Sequence, residues 1–430
     1  MNGASRERVF LASTTAFVAL VPVVYLIASL EAGSRGRGYA ALTIAESVLM
    51  FVAMASAGDA SDRRRLLGAG IVVRLALFFA PAFTSNDAGR YLWDGAAAIA
   101  GFDPYFYSPR GIAAHLPQWT LPADNAGYVT LYPPAALGTF AVAASFGPML
   151  GPWVWKAIVT AASIATLFVT DRALVRCRAG AGSLALVALS PLLIFESGVG
   201  AHVDTLAALS VALGARAWLD DRADHASAYF ALGGLFKLAP ALVLIPLFFA
   251  ASARVRPRML AWGSAVFLGG YGVVISLGMR PFGSLGAFLS EWRFGSPLFF
   301  VLEGALGTER ARVAAGVVLL ASIAASIVVA RMIDPLRGAL IALVSPFLAS
   351  PVVFPWYLAS QAPLVAIRRS YAWLFASIAF PTTYEVLDRF DRGGEFQQGL
   401  VPLGLIALGV AVGLAFDLRR PDAAPLESFE

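Results

Sequence analysis

The stretch SNDAGRYLWDG, Ser85 to Gly95, puts two carboxylates, an arginine, a tyrosine and a tryptophan into a chain that is otherwise mostly apolar. A helix starting near Ser85 places Asp87, Arg90, Tyr91 and Asp94 at i, i+3, i+4 and i+7, on one face that can serve one pocket. A carboxylate there is suited to take a proton from a hydroxyl as that oxygen attacks an electrophile, which makes Asp87 a candidate general base. The same spacing fits an N-capping Asp87 and an i, i+3 pair with Arg90, so the spacing alone leaves both readings open. Two aromatic-rich segments follow, GFDPYFYSPRG from Gly101 and GYVTLYPPAA from Gly127. Their Asp103, Tyr105 and Tyr132 join Tyr91, Trp93 and Asp94 as candidate substrate contacts. Such aromatics either anchor loops at lipid headgroups or offer flat faces to sugar rings.

Further polar residues sit where apolar segments would ordinarily carry none. Glu196, His202 and Asp204 fall within LSPLLIFESGVGAHVDTLAAL, and ionisable groups at such positions are costly and point to function. They suit hydrogen bonding to a substrate or to the Asp87 loop, and a loose metal cluster is the alternative, so a divalent cation stays open and no other cofactor is indicated. Lys237, in LFKLAPALVLIP, is one of two lysines in the chain and needs a partner. A phosphate or a carboxylate would serve. Arg293, in EWRFGSPLFF, could bind a phosphate or a lipid headgroup. Trp356 and Tyr357, in SPVVFPWYLAS, fit a membrane-interface belt or a pocket wall.

These groups must be positioned by a membrane-embedded scaffold. The 430 residues are 59% hydrophobic and 14% charged, with a mean hydropathy of +0.73, outside the range of water-soluble globular domains. Cys177 is the single cysteine, which excludes an intramolecular disulfide or a CxxC redox motif. The net charge of +5 comes from 30 arginines and two lysines. Most of the arginines stand at the ends of apolar runs, which is a topology signal rather than a nucleic-acid surface.

Placing Arg6/Arg8, Arg63 to Arg65, Arg172/Arg176/Arg178, Arg254/Arg256/Arg258, Arg368/Arg369 and Arg419/Arg420 on the cytosolic side gives a consistent map with both termini inside. Residues 85–134 then form a first long extracytoplasmic loop with short interfacial helices, and 280–311 a second outer loop. The stretch Ala135 to Leu150 is expected to be interfacial or re-entrant. The expectation is an all-α, polytopic membrane protein with about 12 to 14 transmembrane helices. Residues 1–420 make one integral membrane domain, and 421–430 a disordered cytosolic tail.

The ordered segments NDAGRYLWDG, GFDPY, YPP, FESGVGAHVD, LFKLAP and SPVVFPWY resemble bacterial GT-C glycosyltransferases, especially polyprenyl-phosphate-mannose-dependent mannosyltransferases. They run from Asp87 to Tyr357, most of the chain. The resemblance implies a GT-C-like fold, a plasma-membrane location and transfer of a hexose, mannose by analogy. The donor would be a polyprenyl-phosphate sugar, the acceptor an extracytoplasmic glycan or glycolipid, and Asp87 the base. Two positions depart from the family pattern: Asn86 stands where a second acid is usual, and Asp103 where an asparagine is usual. The expected mechanism is an inverting displacement in which the lipid phosphate leaves with its charge held by Arg90, Lys237 or Arg293. A transporter or flippase for a lipid-linked sugar is the alternative.

Overall fold

The computed structural model describes residues 3–122 and 124–419; the expected tail at 421–430 lies outside them. The described residues are helical throughout, with no strand and one isolated parallel bridge, between Phe294 and Val352. Among the described residues, six helices are long and apolar enough to cross a membrane: Gly3–Ser29, Arg35–Ser56, Gly147–Arg176, Arg256–Ser276, Thr308–Met332 and Leu400–Arg419.

The remaining expected spans fold as shorter or interrupted helices, which is why length and composition single out six rather than 12 to 14. Residues 60–79 form Ala60–Ala76 and a 3-10 turn, Leu77–Phe79, with Arg74 near the helix end. The run at 183–200 is broken into Gly182–Ala188 and Pro191–Gly198, because Pro191 follows the N-capping Ser190 and has no N–H with which to continue the preceding helix. The run at 226–251 is divided into Ala223–Phe236, Ala239–Leu242 and Leu244–Ala250, and Lys237 is extended at its first break. Ala135 to Leu150 divides between an 11-residue helix, Pro134–Ala144, and the start of the 30-residue helix Gly147–Arg176. At 1.5 Å per residue the latter is about 45 Å long.

Three of the arginine-rich segments are joined through their neighbours. Arg6 donates to the carbonyls of Ser56 and Ala57, Arg65 pairs with Glu7, Arg63 with Asp171 and Arg176 with Asp220. The 85–134 loop holds the short helices Asp87–Ile99 and Pro109–Ile112. It is tied to residues 280–292 by four bonds: Arg280 N–H to Asp103 Oδ2 at 2.9 Å, Ser284 Oγ to the Val129 carbonyl at 2.7 Å, Ser284 N–H to the Thr130 carbonyl at 3.3 Å, and Tyr128 O–H to Glu291 at 2.6 Å. Gly283 makes this closeness feasible, since a Cβ there would stand 1.8 Å from the Thr130 carbonyl oxygen.

Candidate functional site

The helix Asp87–Ile99 begins with Asn86 as its flanking residue, and the backbone N–H of Asp87 donates to Ser85 Oγ at 3.3 Å. Tyr91, one turn on, donates its hydroxyl to Asp87 Oδ2 at 3.3 Å. Its fully buried ring is fixed by stacking on Phe140, with centroids 4.5 Å apart and planes 4° from parallel, and Tyr132 O–H reaches Tyr91 Oη at 3.5 Å. Asp87 keeps 31% of its side chain exposed, enough to meet a substrate.

The second component comes from the broken helix. Glu196 sits in Pro191–Gly198, and the chain then turns through Gly200 and Ala201 to His202. His202 N–H donates to the Glu196 carbonyl at 2.9 Å, closing the turn. A Cβ on Gly200 would stand 2.3 Å from His202 Cδ2, so only glycine admits the ring. Ala201 has a φ of +50°, a left-handed conformation that costs a non-glycine residue of the order of 1 kcal/mol. The Ala201 carbonyl accepts from Trp155 Nε1 at 2.8 Å, which holds the turn.

His202 is fully buried between two carboxyls: Nδ1 lies 3.5 Å from Asp87 Oδ2, and Nε2 lies 3.3 Å from Glu196 Oε2. Its ring stacks on Trp356 at 4.1 Å and 9°. Trp356 stacks on Phe354, which stacks on Phe294, carrying the support out to the 280–311 loop. Tyr384 donates its hydroxyl to Glu196 Oε1 at 2.5 Å. Burial works to raise the carboxyl of Asp87, but His202, Lys237 and the Tyr91 hydroxyl outweigh it and hold the group below its ordinary value. Asp87 is therefore a carboxylate at neutral pH.

Lys237 completes the cluster. Its Nζ is 3.3 Å from Asp204 Oδ2 and stands over two tyrosine rings, 4.6 Å from the centroid of Tyr357 and 5.3 Å from that of Tyr132. An ammonium in such a cage is held by ring quadrupoles as well as by the carboxylate. It still has donors for an anion.

The expected residues thus divide. Asp87, Tyr91, Tyr132, Glu196, His202, Asp204, Lys237, Trp356 and Tyr357 share one cluster. Arg90 turns away: Nε donates to Asp94 at 2.8 Å, and its terminal nitrogens donate to the carbonyls of Asn125 and Tyr128. Arg90 and Asp94 thereby hold the loop. Arg293 is engaged by Glu303 at 2.9 Å and by the Ser290 and Trp292 carbonyls. Asp103 caps the Tyr105 N–H and the Arg280 N–H, while Tyr105 O–H donates to the Tyr132 carbonyl at 2.8 Å. Trp93 packs with Ala97, Ile112 and Leu116 inside the loop. Asn86 donates to Asp124 at 2.6 Å, where an aspartate would set two carboxylates against each other.

No family model, curated protein or solved structure matches this chain. The site therefore has to be read from its own chemistry. Among the described residues no group of three His, Cys, Asp or Glu side chains is placed to hold a metal ion. The grouping of Glu196, His202 and Asp204 fails because Asp204 pairs with Lys237, while Glu196 and Asp87 face opposite nitrogens of one ring. Sequence reasoning missed Tyr384 and Gly200. The polar PTTYE run inside an apolar stretch was a signal for the first, and the G-x-G-x-H spacing one for the second.

A groove of about 380 Å³ is lined by Ile99, Pro134, Leu137, Leu235, Val274 and Leu277 among others, and by none of the cluster residues. Two of its lining residues are near the cluster in sequence: Leu235 is two residues before Lys237, and Pro134 is two after Tyr132.

Proposed function

We propose that this chain is a membrane glycosyltransferase of GT-C architecture. It takes a hexose, mannose by resemblance, from a polyprenyl-phosphate donor and passes it to a glycan or glycolipid hydroxyl on the extracytoplasmic side of the plasma membrane. The observation that carries this reading is a partly exposed carboxylate, Asp87, in one cluster with the caged ammonium of Lys237. One ligand suits both: an anionic headgroup with an electrophilic carbon between phosphate and base.

In this reading Asp87 takes the acceptor hydroxyl's proton as the oxygen forms its bond to the anomeric carbon. The bond from that carbon to the phosphate oxygen breaks, its electron pair leaves with the phosphate, and the configuration inverts. Lys237 meets the charge that develops on the leaving phosphate. Arg90 and Arg293 act at one remove by holding the loops, since their donors already have partners. The contacts that join the Arg6, Arg63 to Arg65 and 171–176 segments support one side for those three clusters; the reading places that side in the cytosol, with the Asp87 loop opposite.

The breaks at Ser190–Pro191 and at Lys237 favour one second reading, a flippase for the same lipid-linked sugar, because interrupted helices line the binding sites of transporters. Purified protein in liposomes, given a panel of polyprenyl-phosphate sugars and acceptors, separates the two. The proposal expects a new glycosidic product with release of polyprenyl phosphate. Donor movement between leaflets with no product would overturn it in favour of the flippase.

A further inference from the structure

The positive-inside rule accounts for arginines on one side of a membrane, and three arginines at the opposite end of a membrane-length helix fall outside it. The helix Arg35–Ser56 has 22 residues, about 33 Å at 1.5 Å per residue. Arg6 holds the carbonyls of Ser56 and Ala57 where this helix ends, while Arg37 stands in its first turn. Beside that first turn a cavity of about 240 Å³ is lined by Arg37, Glu385, Asp388, Arg389, Arg392 and Gly394. Gly36 lets the helix seat there, since a Cβ would stand 2.0 Å from the Tyr384 carbonyl oxygen. The two acids of the cavity are already occupied. Asp388 is buried and accepts from the N–H groups of Gly36 at 2.6 Å and Arg37 at 3.0 Å, which places it on the positive end of the helix. Glu385 Oε1 accepts from Gly399 N–H at 3.0 Å and from Arg389 Nη2 at 3.3 Å. Nearby Asp391 accepts from Gly33 N–H at 3.2 Å.

The guanidiniums keep donors to spare. Arg392 donates through Nε and Nη2 to the Gly33 carbonyl, and Arg389 through Nη1 to the Gln397 carbonyl. Arg37 Nε is 3.9 Å from Asp388 Oδ2, beyond hydrogen-bond reach, and the Arg37 side chain is 74% exposed. Three positive charges thus line the cavity against two negative ones. Its depth follows from a second helix. Gly399, bound to Glu385, immediately precedes Leu400–Arg419, so the cavity lies where two of the membrane-length helices end. Around it Phe390, Phe396, Leu400 and Val401 are exposed. We infer that this cavity binds the phosphate of an anionic membrane lipid, whose acyl chains lie along the exposed apolar side chains of residues 390–401. A guanidinium takes a phosphate through paired N–H donors, and arginines at the end of a membrane helix attract anionic headgroups. The exposed apolar side chains at the rim favour a lipid over a free phosphate. The helix Glu385–Phe390, which floors the cavity, follows directly on Tyr384, the donor to Glu196. The lipid therefore sits one helical turn from a support of the Asp87 cluster, and its binding does not require sugar transfer.

The test titrates the full-length protein in detergent with short-chain phosphatidylglycerol, with a diacylglycerol of the same chains and with inorganic phosphate, read by calorimetry. The parent is expected to bind phosphatidylglycerol more tightly than either control, with an affinity that falls as salt rises. Arg37→Gln changes an exposed side chain and leaves the fold intact. It is expected to weaken that binding about fivefold, and Arg37→Lys by less, since lysine keeps the charge without the fork. Arg280→Gln, at an exposed arginine outside the cavity, should bind the lipid as the parent does. No binding by the parent, equal binding by the parent and Arg37→Gln, or an equal loss in Arg280→Gln would overturn the inference. Inorganic phosphate bound as tightly as the lipid, with the same dependence on Arg37, would overturn the lipid and leave a site for the free anion. Each outcome is read whether or not the protein transfers sugar.

Discussion

Two buried polar clusters lie one helix break apart, and they are built in opposite ways. Around Arg74, which is 2% exposed, the hydrogen bonding is closed. Nε donates to Ser163 Oγ at 2.8 Å, and the terminal nitrogens donate to the carbonyls of Gly70, Val187 and Ala188. Ser197 O–H completes the set through Ser163. The guanidinium thereby caps the end of Gly182–Ala188, where orphan carbonyls and the helix dipole favour a cation. Around His202 the bonding is open. Its charged groups meet at longer range: Asp204 Oδ2 lies 3.3 Å from Lys237 Nζ, Glu196 Oε2 3.3 Å from His202 Nε2, and Asp87 Oδ2 3.5 Å from His202 Nδ1, next to a left-handed Ala201. Closed networks hold a fold together, whereas charged groups gathered at a cost in burial are the kind of place proposed here for chemistry. Arg74 secures the break that aims Glu196; the His202 cluster uses it.

Substitutions in the two clusters should therefore separate rate from stability. Asp87→Asn is expected to lower sugar transfer by about 100- to 10,000-fold while melting no lower than the parent, because it removes one of several clustered negative charges. Arg74→Met reverses the pattern. Its thermal melting in detergent should show a loss of about 2–4 kcal/mol from carbonyls left without donors, with transfer by the folded fraction largely kept. Equal effects of the two variants on melting would erase the distinction. Lys237→Met sharpens it within the open cluster: affinity for a polyprenyl-phosphate donor should fall about tenfold, the worth of one charge-assisted contact, as read by titration calorimetry.

The smallest effect is expected at the loop pair of Arg293 and Glu303. Hydrogen bonds from Arg293 outweigh burial and hold the Glu303 carboxyl below its ordinary value. Its stabilisation is then present at neutral pH and is lost as pH falls below about 4.3 and through the lowered value. Both side chains are about a third exposed, at 31% and 27%, so the contribution is below about 1 kcal/mol. Glu303→Gln should lower neutral-pH melting by that small amount and flatten its decline in acid.

The first part of the site was legible in the sequence because helical spacing is local. Asp87 and Tyr91, four residues apart, do meet, as do Arg90 and Asp94. The shared face nevertheless serves two purposes, because the helix lies on a boundary: one pair meets His202 and the other meets the carbonyls of its own loop. No periodicity encodes that partition. Tyr384 reaches Glu196 across 188 residues, and the carbonyls freed where Pro191 breaks the 183–200 run find their donor in Arg74, more than a hundred residues earlier in the chain. Composition foresaw a helical chain with membrane-length segments but overstated the continuity of the rest, since short helices joined at prolines keep the apolar character of a span without its length.

The central claim, that Asp87 is the base of a sugar-transfer site, is tested most directly by measuring donor binding and transfer together in liposomes holding the parent protein or Asp87→Asn. The account predicts that the parent forms the glycosidic product, and that the variant binds the polyprenyl-phosphate sugar as the parent does but fails to transfer it. Near-parental turnover by Asp87→Asn, or product from neither protein with every acceptor offered, would contradict it.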